Sequence, residues 1–226
     1  MNILIIGALK VEIEYLINIT NSVIIDRIFD LDLYKGIVGD NTIYTMQCSV
    51  GKVNAALCTQ NAISKTNPIL VINTGIAGSL KPINKIGTIV IGNEITYHDV
   101  RPQQMKNFFP FKEAFYSDKT TVENIYRCAT NLFNNITTII GKIVTGDAFI
   151  DSNIIKEQII NKYHADCVEM ESAAIAHTCY VNKIPFVCIR TICDNADESS
   201  IADYEEFEEK SSIISSKLVH SYLLNI

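Results

Sequence analysis

The sequence predicts an α/β protein, a single domain over residues 1–226 in which helices cover a parallel or mixed β-sheet. Three observations carry that expectation. Apolar, β-branched runs alternate with helical patterns along most of the chain. PILVINTG and PFVCIRTI are continuous apolar runs, as expected of strands buried on both faces. A chain of 226 residues suits one sizeable core, and neither a repeat nor a low-complexity linker divides it.

The elements follow in order. NILIIGA opens as a strand over Asn2–Ile6, and a helix follows over Val11–Ile17. Strands over Val23–Phe29, Leu33–Ile37 and Thr42–Cys48 are separated by the short turns FDLDLYKG and VGDN, the pattern of antiparallel hairpins. A helix over Val53–Ser64 leads to a strand over Ile69–Asn73, after which NTGIAGSL reads as a turn. A strand over Thr88–Ile95 comes next. Tyr97 to Lys119 is the least regular stretch, mixing Pro, Gln, Met and four Phe residues. It is expected to be a long loop, serving as a lid, a subunit contact or a cover over its own core. Beyond it lie helices over Thr121–Asn134, Ile154–Asn161, Ser172–Asn182 and Tyr204–Leu224. Between them come strands over Lys142–Thr145, Cys167–Met170 and Phe186–Ile192.

Composition narrows the function classes. Apolar residues make up 48% and charged residues 19%, and the formal net charge is −6. No basic stripe is present, so nucleic acid is not an expected partner. The seven cysteines form no CxxC pair and read as reduced core residues. The four histidines lack metal spacing such as HExxH, so no metal is expected. NILIIGAL meets Lys10 and Glu12 at once and reads as a first strand rather than a signal peptide. No run reaches transmembrane length, and a cytoplasmic protein with no membrane partner is expected.

Chemistry concentrates at the C-terminal ends of the strands, the edge where open α/β sheets bind ligands. Glu12 follows NILIIGA, glycines follow PILVINT, and TGDAFI follows KIVT. Glu171 follows DCVEM, and Asp194 follows CIRTI. VEMESAAIAH places Glu169 and Glu171 in an otherwise apolar run, and buried carboxylates are costly unless paired or used.

The segments IIGALKVEIEYL, SVGKVNAAL, VINTGIAGSL, YHDV, IVTGDAFI, VEMESAAIAH, IRTICDNAD and YEEFEEKSS resemble those of the 5′-methylthioadenosine/S-adenosylhomocysteine nucleosidases. They occur in that family's order and cover nearly the whole chain. The resemblance implies a Rossmann-like three-layer nucleoside phosphorylase/hydrolase fold, with a mixed central sheet flanked by helices. It implies a homodimer that hydrolyses adenine thionucleosides without metal or cofactor. By the same resemblance Asp194 is the acid that protonates adenine N7, Glu12 the base for water, and Glu171 the residue that holds the ribose hydroxyls. Phe149 stacks on adenine, the Ile150 backbone pairs with its edge, and Met170 packs on the sugar. Gly78 lets the chain approach the ligand closely. Arg190 matches a residue near the water, or it forms an ion pair with Glu169 or another carboxylate. Glu169 is expected to be either a structural partner of a basic group or a substrate contact. Met105, Phe108 and Phe109 are candidates for the 5′ slot. Cys193 stands where the family usually has serine, and Ile76 where a small residue is common. A thiol donates more weakly than a hydroxyl and orients Asp194 less firmly.

Three rival functions are weighed. A nucleoside phosphorylase needs cationic or N–H donors for phosphate, and Glu12 stands where an arginine would be expected. A futalosine-type or other 6-aminopurine nucleosidase is the second. A dinucleotide-binding protein or non-catalytic sensor is the third, but IIGALK has only one of the three glycines of GxGxxG.

Overall fold

The computed structural model describes residues 1–226. Its elements are β1 (Asn2–Gly7), α1 (Lys10–Ile19), β2 (Val23–Ile28), β3 (Leu31–Val38), β4 (Asn41–Gln47), α2 (Lys52–Thr66), β5 (Leu70–Ser79) and β6 (Ile89–Tyr97). Then come α3 (Pro102–Asn107), β7 (Phe115–Tyr116), α4 (Lys119–Leu132), β8 (Thr138–Thr145), α5 (Asn153–Tyr163), β9 (Cys167–Glu169), α6 (Ser172–Asn182), β10 (Phe186–Asp194) and α7 (Ser200–Leu223).

The mixed sheet has two parts. β1 runs parallel to both β4 and β5, and β4, β3 and β2 continue as an antiparallel meander to one edge. Beyond β5 the sheet closes on itself: β5 pairs with β10, β10 with β6, β6 with β8, β8 with β9, and β9 returns to β5. The period-2 alternation of strand side chains builds a core on each face. Leu4, Ile6 and Cys188 point toward Ala55, Ala62, Ala173 and Ala176 of α2 and α6. Ile3, Ile5, Val187 and Ile189 point toward Leu16, Val122, Ile125 and Leu218 of α1, α4 and α7. Fully burying each such aliphatic side chain contributes about 1.5–3 kcal/mol, so the strand ends rest on a tightly held scaffold.

Helix α7 carries the run SSIISS against the sheet, and its small side chains let helix and strand approach closely. Ser215 donates to the Gly75 carbonyl at 2.8 Å, Ser216 to the Glu12 carbonyl at 2.5 Å, and Ser211 to the Ile192 carbonyl at 3.2 Å. These bonds satisfy three of the run's four buried hydroxyls, Ser212 having no partner, and tie the helix to the backbone that carries the acidic residues.

Two expectations are corrected. NTGIAGSL is not a turn after β5 but its continuation, buried at every position from Leu70 to Ser79. Its glycines serve close approach rather than chain reversal: a Cβ on Gly75 would collide with Arg190 and Glu12. Tyr97 to Lys119 holds the short helix α3 and the two-residue strand β7, which pairs with β6. Pro102 starts α3 at a position where its missing N–H costs nothing.

Candidate active site

A cavity of about 510 Å³ opens where the C-terminal ends of β1, β5, β9 and β10 converge. Ala8, Leu9 and Glu12 line it from the β1–α1 junction, and Ile76, Ala77 and Gly78 from β5. Val168, Glu169, Met170 and Glu171 come from the β9–α6 junction, and Cys193 and Asp194 from the end of β10. Val50, Phe149, Ile201, Tyr204 and Glu205 complete the wall. Every ionisable side chain on this wall, apart from the Cys193 thiol and the Tyr204 phenol, is a carboxylic acid.

Glu12 is buried in the first turn of α1, where its carboxylate reaches back to the helix start. One oxygen accepts from the backbone N–H of Ala8 at 2.6 Å and of Leu9 at 2.9 Å, and the other accepts from Ile76 N–H at 3.0 Å. Burial pushes its pKa above the usual carboxylate range, against the pull of the Arg190 guanidinium and of these three N–H groups.

Asp194 ends β10. Its Oδ1 accepts from Ala196 N–H at 2.8 Å, and its Oδ2 lies 3.1 Å from the Cys193 thiol, which donates to it. Burial raises its pKa despite those donors. A Cβ on Gly78 would stand 2.6 Å from Asp194 Oδ1 and 3.1 Å from Ala196 Cβ. Gly78 is therefore required first by the Asp194 carboxyl itself, a reason for the glycine that differs from ligand approach.

Glu171 stands immediately before α6, its side chain turned away from the helix start, and its Oε1 accepts from Gly51 N–H at 2.9 Å. Burial, reinforced by the neighbouring Glu169 carboxylate, pushes its pKa up to about 8. Glu169 is already engaged by four donors from the chain itself. Its Oε2 accepts from Arg190 Nη2 at 2.6 Å, Glu171 N–H at 3.0 Å and Ser172 N–H at 2.8 Å, while its Oε1 accepts from the Thr145 hydroxyl. Of its two expected roles, the structural one matches the geometry.

Arg190 does not line the cavity. It is fully buried behind Glu12 and Glu169, with Nη2 also donating to Asn73 Oδ1 at 2.7 Å and Ser172 Oγ at 2.8 Å. Its Nη1 has no hydrogen-bond partner and stands 3.9 Å from Glu12 Oε1. Buried charges need counter-charges, and here that need draws the guanidinium to Glu169 rather than to the cavity.

Phe149 stands at the rim, 42% exposed, with its ring edge-on to Tyr204 at 5.8 Å between centroids. Ile150 lines a small recess that continues from the main cavity beside Gly78, Met170 and Asp194. Neither its N–H nor its carbonyl has a hydrogen-bond partner in the chain. Met105, Phe108 and Phe109 lie outside the cavity of their own chain. Met105 packs on the core, Phe109 leans on His177, and Phe108 is exposed. Ile201, Tyr204 and Glu205 are wall residues that sequence reasoning missed, although YEEF marks the last two. The helix there starts at Ser200, earlier than the pattern predicts, and carries Ile201 to the rim.

A family model described as the phosphorylase superfamily matches residues 2–224. A 5′-methylthioadenosine/S-adenosylhomocysteine nucleosidase of Exiguobacterium sp. is 34% identical over 223 residues, covering 97% of this chain and 96% of the relative. The crystal structure of the nucleosidase of that name from Neisseria meningitidis, in complex with methylthio-immucillin-A, superposes with a TM-score of 0.93. It is 31% identical, with 100% of this chain and 99% of that chain covered. A native futalosine hydrolase of Helicobacter pylori superposes with a TM-score of 0.92 at 26% identity, over 100% of this chain and 98% of that one.

Proposed function

This chain belongs to the phosphorylase superfamily and, within it, to the 5′-methylthioadenosine/S-adenosylhomocysteine nucleosidases; from that premise we propose that it hydrolyses the N-glycosidic bond of both nucleosides and of 5′-deoxyadenosine. The observation that carries the reading is one cavity in which Glu12, Glu171 and Asp194 meet, all three buried and all three with raised pKa values.

Breaking a ribose–adenine bond requires that adenine leave without negative charge and that water attack a sugar carrying positive charge. Asp194, which holds its proton to higher pH than an exposed aspartate, delivers it to adenine N7. Glu12 takes a proton from the attacking water, and its raised pKa suits a base working near neutrality. Glu171 holds the ribose hydroxyls. Burial and the Glu169 carboxylate favour its protonated form in the resting protein, and positive charge growing on the ribose favours its ionised form. Phe149 stacks on the base, the free backbone groups of Ile150 pair with the base edge, and Met170 packs on the sugar. Arg190 serves as the counter-charge of Glu169 and Glu12 from behind the cavity wall, its Nη1 3.9 Å from Glu12 Oε1. The products, adenine and the 5-thioribose compound, fit methionine salvage in the cytoplasm.

Glu12, ionised when it acts as the base, favours water over phosphate as nucleophile. At about 4 Å and an effective dielectric near 20, each contact between an ionised carboxylate and an anion costs about 4 kcal/mol. Adenine release from 5′-methylthioadenosine is expected to proceed at full rate in phosphate-free buffer. Strict dependence on phosphate would overturn the hydrolase reading. Comparing kcat/KM with that for S-adenosylhomocysteine, 5′-deoxyadenosine and adenosine sets the 5′ preference. The fold shared with futalosine hydrolase keeps a futalosine-type substrate as the second reading, and that nucleoside belongs in the same assay.

The protein is further proposed to be a homodimer. Val53 and Leu57 of α2 and Phe108, Phe109 and Phe111 after α3 are exposed apolar side chains. Phe109 packs beside α6, against which α2 also lies. A second copy covers this surface and brings its own loop to the 5′ end of the cavity. Sedimentation at assay concentration is expected to give twice the chain mass; a monomer that retains full activity would refute it.

A further inference from the structure

The two sides of the cavity meet at a group of residues outside its wall. Gly51 N–H holds Glu171 on the ribose side. The next residue, Lys52, donates its backbone N–H to Asp147 Oδ1 at 2.8 Å, and Asp147 N–H in turn donates to Asp99 Oδ2 at 2.9 Å. The Lys52 ammonium closes the ring, donating to Asp99 Oδ2 at 2.5 Å and lying 3.5 Å from Asp147 Oδ2, over the Tyr97 ring at 5.6 Å. Three chain segments are thereby joined: the start of α2, the stretch after β6 and the turn after β8. Two residues beyond Asp147 stands Phe149, and the next is Ile150. The turn is also seated from below, because Gly146 lies so close over the His98 ring that a Cβ there would collide with it.

We propose that Lys52, with Asp99 and Asp147, is a positioning clamp that sets the distance between the base-binding turn and Glu171 and so controls nucleoside affinity rather than the chemical step. The proposal rests on the nucleosidase reading for the identity of the bound groups. None of the three side chains lines the cavity, so none is placed to touch the substrate. Their geometry does not permit a slack joint, because two of the links use backbone N–H groups whose positions are fixed by α2 and by the turn. A chain segment shifted by even 1 Å alters the fit of every group it carries. The ion pair is partly open to solvent, with side-chain exposures of 20% for Lys52, 30% for Asp99 and 47% for Asp147. It is therefore open to screening by salt, unlike the sealed Arg190–Glu169 pair.

The test uses the full-length protein with 5′-methylthioadenosine as substrate and adenine as the equilibrium probe. Lys52→Met is expected to raise KM and the adenine Kd by roughly tenfold with kcat within about threefold of wild type, the pattern of lost uniform binding. Lys52→Arg, which keeps the charge, is expected to recover most of the affinity. Raising NaCl from about 0.05 to about 0.5 M is expected to weaken adenine binding to wild type and to leave the Lys52→Met variant insensitive. A merely structural role lowers Tm and the active fraction without this split between KM and kcat. Unchanged KM, or equal losses in kcat and kcat/KM, would overturn the proposal. If Lys52→Met does not fold, Asp99→Asn and the salt dependence of wild type decide, and adenine affinity unmoved by both also overturns it. Failure of the nucleosidase reading is distinguishable, because wild type itself would then release no adenine.

Discussion

Replacing Asp194 by asparagine is expected to lower kcat for 5′-methylthioadenosine by about 10²–10⁴-fold, the usual contribution of a positioned general acid. The amide has the shape of the carboxyl and keeps an oxygen for Ala196 N–H, so the cavity beside Gly78 is retained. What it lacks is a proton that can be transferred, so adenine must leave with negative charge that nothing neutralises. Nucleoside Kd is accordingly expected to stay within about threefold of wild type while turnover collapses, a loss confined to the transition state. The pH dependence has a definite sign. On the proposed role the protonated carboxyl is the active form, and burial raises its pKa, so wild-type kcat is expected to fall as pH rises through that raised value. The asparagine variant has no such group, and its residual rate loses that limb. Steady-state kinetics with calorimetric binding measures both effects, and near-normal turnover in Asp194→Asn would contradict the assignment of the acid.

The second large effect concerns folding. Arg190→Met is expected to destabilise the protein by about 3–5 kcal/mol in urea unfolding, since removing one member of a buried pair strands the other. Glu169 and Glu12 would be left ionised without a counter-charge in a largely buried setting, or forced to take up protons. Against a typical total stability of about 5–15 kcal/mol, that is a large fraction. The companion variant is the informative one. Glu169→Gln combined with Arg190→Met removes both charges, while the glutamine carbonyl still accepts from the Glu171 and Ser172 N–H groups. Stability is expected to return most of the way toward wild type. A single-variant cost below about 1 kcal/mol, the range of exposed pairs, would mean that Arg190 is not the counter-charge of this interior.

Much of the architecture was legible along the chain, because it depends on local pattern. Continuous apolar runs marked β5 and β10, short turns marked the β2–β3–β4 meander, and the helices α1, α2, α4, α5 and α6 fell where the pattern put them. The acids at strand ends were legible for the same reason. A carboxylate that follows a buried strand has only the sheet edge to occupy, and Glu12, Glu171 and Asp194 all reach one cavity there.

Other features were hidden because they arise from neighbours distant in sequence. Glycines in NTGIAGSL suggest a reversal when read locally, yet Gly75 and Gly78 sit within a strand because Arg190 and Asp194 cross beside them more than a hundred residues later. Arg190 follows a strand pattern that leaves its direction open; only the buried carboxylate of Glu169, brought within 2.6 Å by the closed sheet, draws it away from the cavity. The same holds for the pKa values. Residue types state which groups can carry a proton, whereas burial and charged neighbours, properties of the assembled chain, raise those of Glu12, Glu171 and Asp194 together. Periodicity and strand-end chemistry are thus written in the order of residues, while proton affinity and counter-charge depend on distances that exist only once β5 has met both β10 and β9.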